Sequence, residues 1–200
     1  MSEESRPRRP LPSGPALFDA ISGGGDPAAA RAAGDLLAEA LVRRDTDRDP
    51  ALIERIVRLA EVEGLDALAD LWAEAPAVSL SGSLWRLYLL RESVRLDPRG
   101  SSRAFDEGRN DAPVATAIAG AVEPYGPDQM LTLLDTILQG ISTADFADVL
   151  FRASAFARVV AAGRVQLSEG HQAALSTSRF LDLAKDLEKA AHLELKNRLG

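Results

Sequence analysis

Chemistry needs polar groups that converge, and this chain is sparing with the reactive ones. Its imidazoles are His171 and His192, well separated in sequence, and it contains no cysteine. Thiolate catalysis, disulfides, iron–sulfur clusters and cysteine-ligated zinc are removed together. His192 lies in EKAAHLE, with Glu188 four residues earlier on the same helical face. A di-iron carboxylate site requires glutamate three residues before the histidine, and Lys189 stands there. The H-x-E spacing of His192-Leu193-Glu194 matches zinc deaminases, but their cysteine ligands are missing. The expectation is a structural Glu188–His192 pair, with no metal and no cofactor.

Gly23-Gly24-Gly25 precedes a helix, as a phosphate cradle does, yet no strand leads into it and no lysine follows. Asp26 at the cap would also repel a phosphate, so the glycines read as a hinge. There is no GxSxG elbow, and Ser81 and Ser83 are expected in a loop without a histidine nearby.

The segment SLWRLYLLRESVRLDP is the most informative. At about 100° per residue its leucines, Trp85, Tyr88 and Val94 cover most of the circumference, the mark of a helix buried nearly all round. Arg86 and Ser93 share one narrow polar strip. Arg91, Glu92 and Arg95 then intrude where the helix should be apolar, and buried charge is costly unless paired. Three outcomes follow. The charges ride out of the core at the helix end with their stems over apolar surface, or they are partly buried and paired, Arg91 or Arg95 with Glu92, Asp135 or Asp148, or they form an anion- or partner-binding pocket with Trp85 and Tyr88. Trp85, Tyr88, Arg91, Glu92 and Arg95 are the candidate site, and the structural ion pair is the expected outcome.

Residues 131–152 carry a turn, Gly140-Ile141-Ser142, between apolar-periodic segments, with Phe146 and Val149 at the core spacings of a helix-turn-helix. Its reading helix would offer Thr143, Ala144, Asp145 and Asp148 to a groove. Aspartates repel phosphate and read few bases.

These residues must be held by helices. Asp26-Pro27, Asp49-Pro50 and Gly126-Pro127-Asp128 open apolar-periodic stretches, since proline suits the first helical position. Gly64, Gly140 and Gly163 close others. The pattern predicts helices over 27–44, 50–63, 66–75, 83–97, 112–122, 127–139, 143–162 and 171–198. Brief alternation at 77–81 and 164–166 is too short for strands. The stretch from Pro50 parallels that from Pro127: proline, apolar helix, glycine, then a second helix bearing aspartate. Stacked αα-hairpins would follow if the parallel is a true repeat.

Two hundred residues suffice for one ordinary domain, and 46% apolar with 26% charged residues is the balance of a globular chain. Residues 1–15, proline-rich with Arg6, Arg8 and Arg9, read as a disordered tail, leaving 16–200 as a single domain. The arginines there precede no apolar run, and no stretch of about 18 apolar residues occurs elsewhere. No membrane association and a cytoplasmic location are expected. Alanine and arginine richness suggests a GC-rich bacterial source.

A formal charge of -7 disfavours a polyanionic partner. The reading is an all-α domain of seven or eight mostly antiparallel helices around the helix at 83–97. Its leading function is a non-enzymatic interaction or adaptor protein, with a protein partner of unknown identity. A nucleic-acid-binding regulator is the alternative, and an enzyme acting on a carboxylate or phosphate comes third. The last helix should dock by Phe180, Leu183, Ala184, Leu187, Ala191 and Leu195, leaving Lys185, Glu188 and Lys196 in water. That stripe closes either the domain's own core or a homodimer.

Overall fold

A computed structural model of the chain describes residues 27–43, 58, 64–110, 125–140, 144–167 and 171–200. The tail at 1–15, the triple glycine and the expected helix at 112–122 lie outside them. So does all but Arg58 of the expected helix at 50–63, and with it the first hairpin of the internal parallel. Among the described residues the chain is all-α, with seven helices. These are α1 (Pro27–Val42), α2 (Leu65–Asp70), α3 (Leu80–Leu96), α4 (Pro98–Arg109), α5 (Pro127–Leu138), α6 (Phe146–Leu167) and α7 (His171–Glu194).

Local chemistry accounts for most of the boundaries. Proline opens α1, α4 and α5, where its missing N–H costs nothing. At α5 the Gln129 side chain also accepts from the Gly126 N–H at 3.2 Å. Ser79 caps α3, its hydroxyl oxygen accepting from the Gly82 N–H at 3.0 Å. Ser81 and Ser83 are therefore helical and buried, not in a loop. Ser81 donates to Asp35 of α1 at 2.5 Å, and Ser83 donates to the Ser79 carbonyl at 2.7 Å. The expected helix at 66–75 gives way after Asp70 to turns, which carry the fully buried Trp72. Its indole N–H donates to the Gly34 carbonyl of α1 at 2.9 Å.

Two expectations are corrected. An unanticipated helix, α4, follows α3 directly: Asp97 ends one and caps the other, accepting from the Gly100 N–H at 2.8 Å. And α6 does not stop at Gly163 but runs to Leu167, so that residues 164–166 are helical. Both corrections have one cause. Gly108 of α4 and Gly163 of α6 lie where the two backbones touch. A Cβ on Gly108 would overlap the carbonyl of Val159, and one on Gly163 would overlap that of Ala104. Glycine is there to allow close approach, and the helix continues through it.

The helices α4 and α6 are antiparallel, since Gly108 meets Val159 while Ala104 meets Gly163. The pair α6 and α7 is antiparallel too: Phe151 meets His192, Ser154 meets Ala184, and Arg164 meets Ser176. Between them α4 and α7 cover α6, whose Val149, Leu150, Ala153, Phe156, Ala157 and Val160 are buried. The helix α3 packs against every other described helix, as a central element should.

At the far end, Arg43 just past α1 clasps Glu194 with two nitrogens, one at 2.7 Å, and donates to the Leu199 carbonyl at 2.9 Å. The turn that brings Leu199 back into the core passes through Asn197 at positive φ.

Candidate functional site

The candidate residues all sit on α3, and the helix sorts them into two faces. Leu80, Leu84, Leu87, Leu90, Arg91 and Val94 point into the core. Trp85, Tyr88, Leu89, Glu92, Arg95 and Leu96 lie on the opposite arc, with Leu89 40% and Leu96 82% exposed. The expectation of burial nearly all round is thus overturned. Glu92 and Arg95 do not intrude on an apolar core; Leu89 and Leu96 beside them are exposed, and Trp85 is part-buried at its edge.

Arg91 is the exception, at 8% exposure. Its Nη1 donates to Glu92 at 2.5 Å and its Nε donates to Asp135 of α5. Arg95 approaches Glu92 only at 3.6 Å and is half exposed. Arg91 therefore tethers α3 to α5, with its Nε and Nη1 donors occupied by carboxylates. That is the geometry of a structural ion pair for Arg91, while Arg95 rides out toward water, two of the three outcomes expected for these charges.

The two aromatics form a unit. The rings of Trp85 and Tyr88 are stacked, with centroids 5.4 Å apart and planes at 22°. The Tyr88 hydroxyl donates to Asp66 of α2 at 3.0 Å. Partial burial, that hydrogen bond and the nearby carboxylates push the phenol up to about 12. On the other flank Arg86 donates to Asp186 of α7 at 3.0 Å. The outward arc of α3 is thus a floor of Trp85, Leu89 and Leu96, tied to α2 on one side and α7 on the other.

One group beside this floor was not legible in the sequence. Arg164 of α6 reaches Ser93 of α3 at 3.3 Å and Ser176 of α7 at 2.8 Å, with its guanidinium 4.0 Å from the centre of the Phe180 ring. Each of these partners is neutral. Burial accordingly lowers the pKa of Arg164, against a smaller opposing pull from Asp97. A basic residue near a glycine on an apolar helix gave no sign of this, because its partners come from two other helices.

The helix-turn-helix segment comprises the end of α5, the turn and the start of α6, with residues 141–143 outside the described ones. Its would-be reading helix is buried on α4 and α7, so only Ala144, Asp145 and Asp148 at its start are exposed. Asp148 is engaged within the chain, accepting from Arg152 at 2.6 Å, while the Arg152 guanidinium lies 4.6 Å from the Tyr125 ring centre.

His171 opens α7. His192 does not pair with Glu188, since Glu188 accepts from Arg158 and His192 instead meets the edge of the Phe151 ring at 5.1 Å. Ala184, Leu187 and Ala191 of the α7 stripe are buried on the chain's own α6, with Phe180 and Leu183 half-buried. Leu195, expected to dock, is exposed, because the helix ends before it.

A cleft of about 350 Å³ separates the start of α1 from α2, lined by Arg31, Asp70 and Glu74 among apolar residues. A second, wide-open one is bounded by Pro98, Arg99, Ser102 and Arg103. Among the described residues no three histidine or carboxylate groups cluster to hold a metal, and no helix is long and apolar enough to cross a membrane. The fold and the α3 arc together define a class: an all-helical chain whose most distinctive surface is an outward aromatic and aliphatic floor on its central helix. Compared with family models, curated proteins and solved structures, the chain shows no significant match.

Proposed function

We propose that this chain is a non-enzymatic interaction protein that engages a protein partner through the outward arc of α3. The observation that carries this reading is the stacked, part-buried Trp85–Tyr88 pair beside exposed Leu89 and Leu96 on the helix that packs against every other described helix. Buried aromatic anchors such as Trp and Tyr carry much of the binding energy in protein interfaces, while the neighbours around them exclude water. Here they ride on a rigid element, so little ordering cost falls on binding. The described clefts lack the converging nucleophile, base and donors that catalysis requires. The nucleic-acid alternative draws no support from α6, whose faces are spent on α4 and α7.

A photo-crosslinking residue placed at Leu89 tests the reading in the native cell. The expected result is a discrete heavier adduct from position 89, absent when the same residue replaces Lys185 on the exposed side of α7. No adduct from position 89, or the same ladder from both positions, overturns it.

A further inference from the structure

The outward arc of α3 carries a charge feature that the aromatic and aliphatic residues do not explain. Arg164 donates to Ser93, which on α3 lies one turn beyond exposed Leu89 and one turn before exposed Leu96. Among the described residues no carboxylate lies within ion-pairing distance of Arg164. Every other core-flanking arginine of this region has one: Arg86 has Asp186, Arg91 has Asp135 and Glu92, and Arg158 has Glu188. A guanidinium drawn partly out of water onto a phenyl face, with only hydroxyls to replace the lost hydration, is undercompensated.

The acids at this end of the molecule are already engaged. Glu92 is held by Arg91 and approached by Arg95, and Asp97 accepts from the Gly100 N–H. Asp97 also starts α4, whose exposed Arg99 and Arg103 add positive charge beyond it.

We infer that the Arg164 guanidinium, bonded to Ser93 between Leu89 and Leu96 on α3, receives a carboxylate of the partner, so that the partner segment is an acidic one with leucine- or phenylalanine-like side chains flanking an aspartate or glutamate. The inference rests on the proposed interaction function and specifies the chemistry of its partner at the same surface. Apolar side chains would cover the leucines and exclude water, and the carboxylate would accept from the guanidinium in the drier environment they create. That combination favours an acid over an amide or a base by attraction, and it rejects a lysine by repulsion. Leu89 and Leu96 are open to water, which suits a peptide segment better than an enclosed small ligand.

The test is selection of a random twelve-residue peptide library on the full chain, followed by affinity measurement on the wild type, Leu89→Asp and Arg164→Gln. Arg164→Gln removes no carboxylate pair, and its thermal unfolding is measured alongside; Arg164→Lys, which keeps the charge but loses the fork, is the second variant should Gln perturb the fold. The expected result is enrichment of peptides carrying aspartate or glutamate beside leucine or phenylalanine, with binding abolished by Leu89→Asp and weakened about tenfold or more by Arg164→Gln. Peptides that lose binding on Leu89→Asp, yet lack acids or bind Arg164→Gln as well as the wild type, overturn the carboxylate inference and leave the α3 surface standing. Peptides indifferent to Leu89→Asp, or no enrichment at all, overturn both.

Discussion

At the scale of single residues, Arg91, Glu92 and Arg95 of α3 differ because their exposure differs, although the sequence presents them as one group. Arg91 is buried and held by two carboxylates, whereas Arg95 is half exposed and 3.6 Å from its nearest acid. Arg91→Met should lower stability by about 2–3 kcal/mol, since it deletes charge-assisted bonds and leaves two part-buried carboxylates side by side. Arg95→Met should cost under about 1 kcal/mol. Urea unfolding of both variants checks this, and equal effects would contradict the division. Tyr88 makes a pH prediction. Its phenol is raised from 10.0 to about 12 in the folded chain, so the folded state holds its proton where the unfolded state has lost it. The stabilising contribution is complete below pH 10 and fades as pH rises from about 10 to about 12. Ultraviolet titration should show one tyrosine ionising late, and Tyr88→Phe should remove that transition. The identity of these residues was legible from their types on a 3.6-residue period. Which of them face water was not, because that depends on where α2, α5 and α7 dock.

At the scale of elements, Asp-Pro and Gly-Pro starts announced α1 and α5, and the 3.6-residue apolar period announced the approximate place of α3, because those signals are local. The missing element was α4, whose PRGSSRAFDEGR reads as a loop: two glycines and two serines depress helix propensity. Its Asp97-Pro98 opening is the same signal that marked the other helices. What makes the segment helical is tertiary, since Ala104, Phe105 and Gly108 are buried in its packing on α6. The same contact explains why Gly163 failed as a helix stop: the glycine serves the neighbour's backbone and not its own chain termination. Gly163→Ala should therefore destabilise the fold by about 3 kcal/mol or more, even though alanine is the better helix former. A melting temperature within about a degree of the wild type would show that α4 and α6 are not in backbone contact.

At the scale of the whole molecule, α1 and the segment after α7 are joined by the Arg43 clasp on Glu194 and Leu199. The hydrogen bond to Glu194 holds Arg43 firmly in its charged form, over a smaller desolvation effect. Arg43→Met would strand the buried Glu194, and a loss of about 3 kcal/mol is expected from thermal unfolding. Leu199→Ala should cost about 2 kcal/mol by emptying its place in the core, while the backbone carbonyl that Arg43 uses remains. Near-wild-type melting of Arg43→Met would show that the clasp is a surface contact only. The clasp also has a consequence in time. Its two acidic and basic partners are 151 residues apart in the chain, so on a ribosome making roughly 5–20 residues per second α1 waits on the order of ten seconds or more for Glu194 to be synthesised. Until then the core face of α1 has, among the described elements, α3, α5 and the turn bearing Trp72 to hold it. The nascent chain should pass through a stage in which its first helix is docked but unlatched, and any chaperone that attends it would find its opening there.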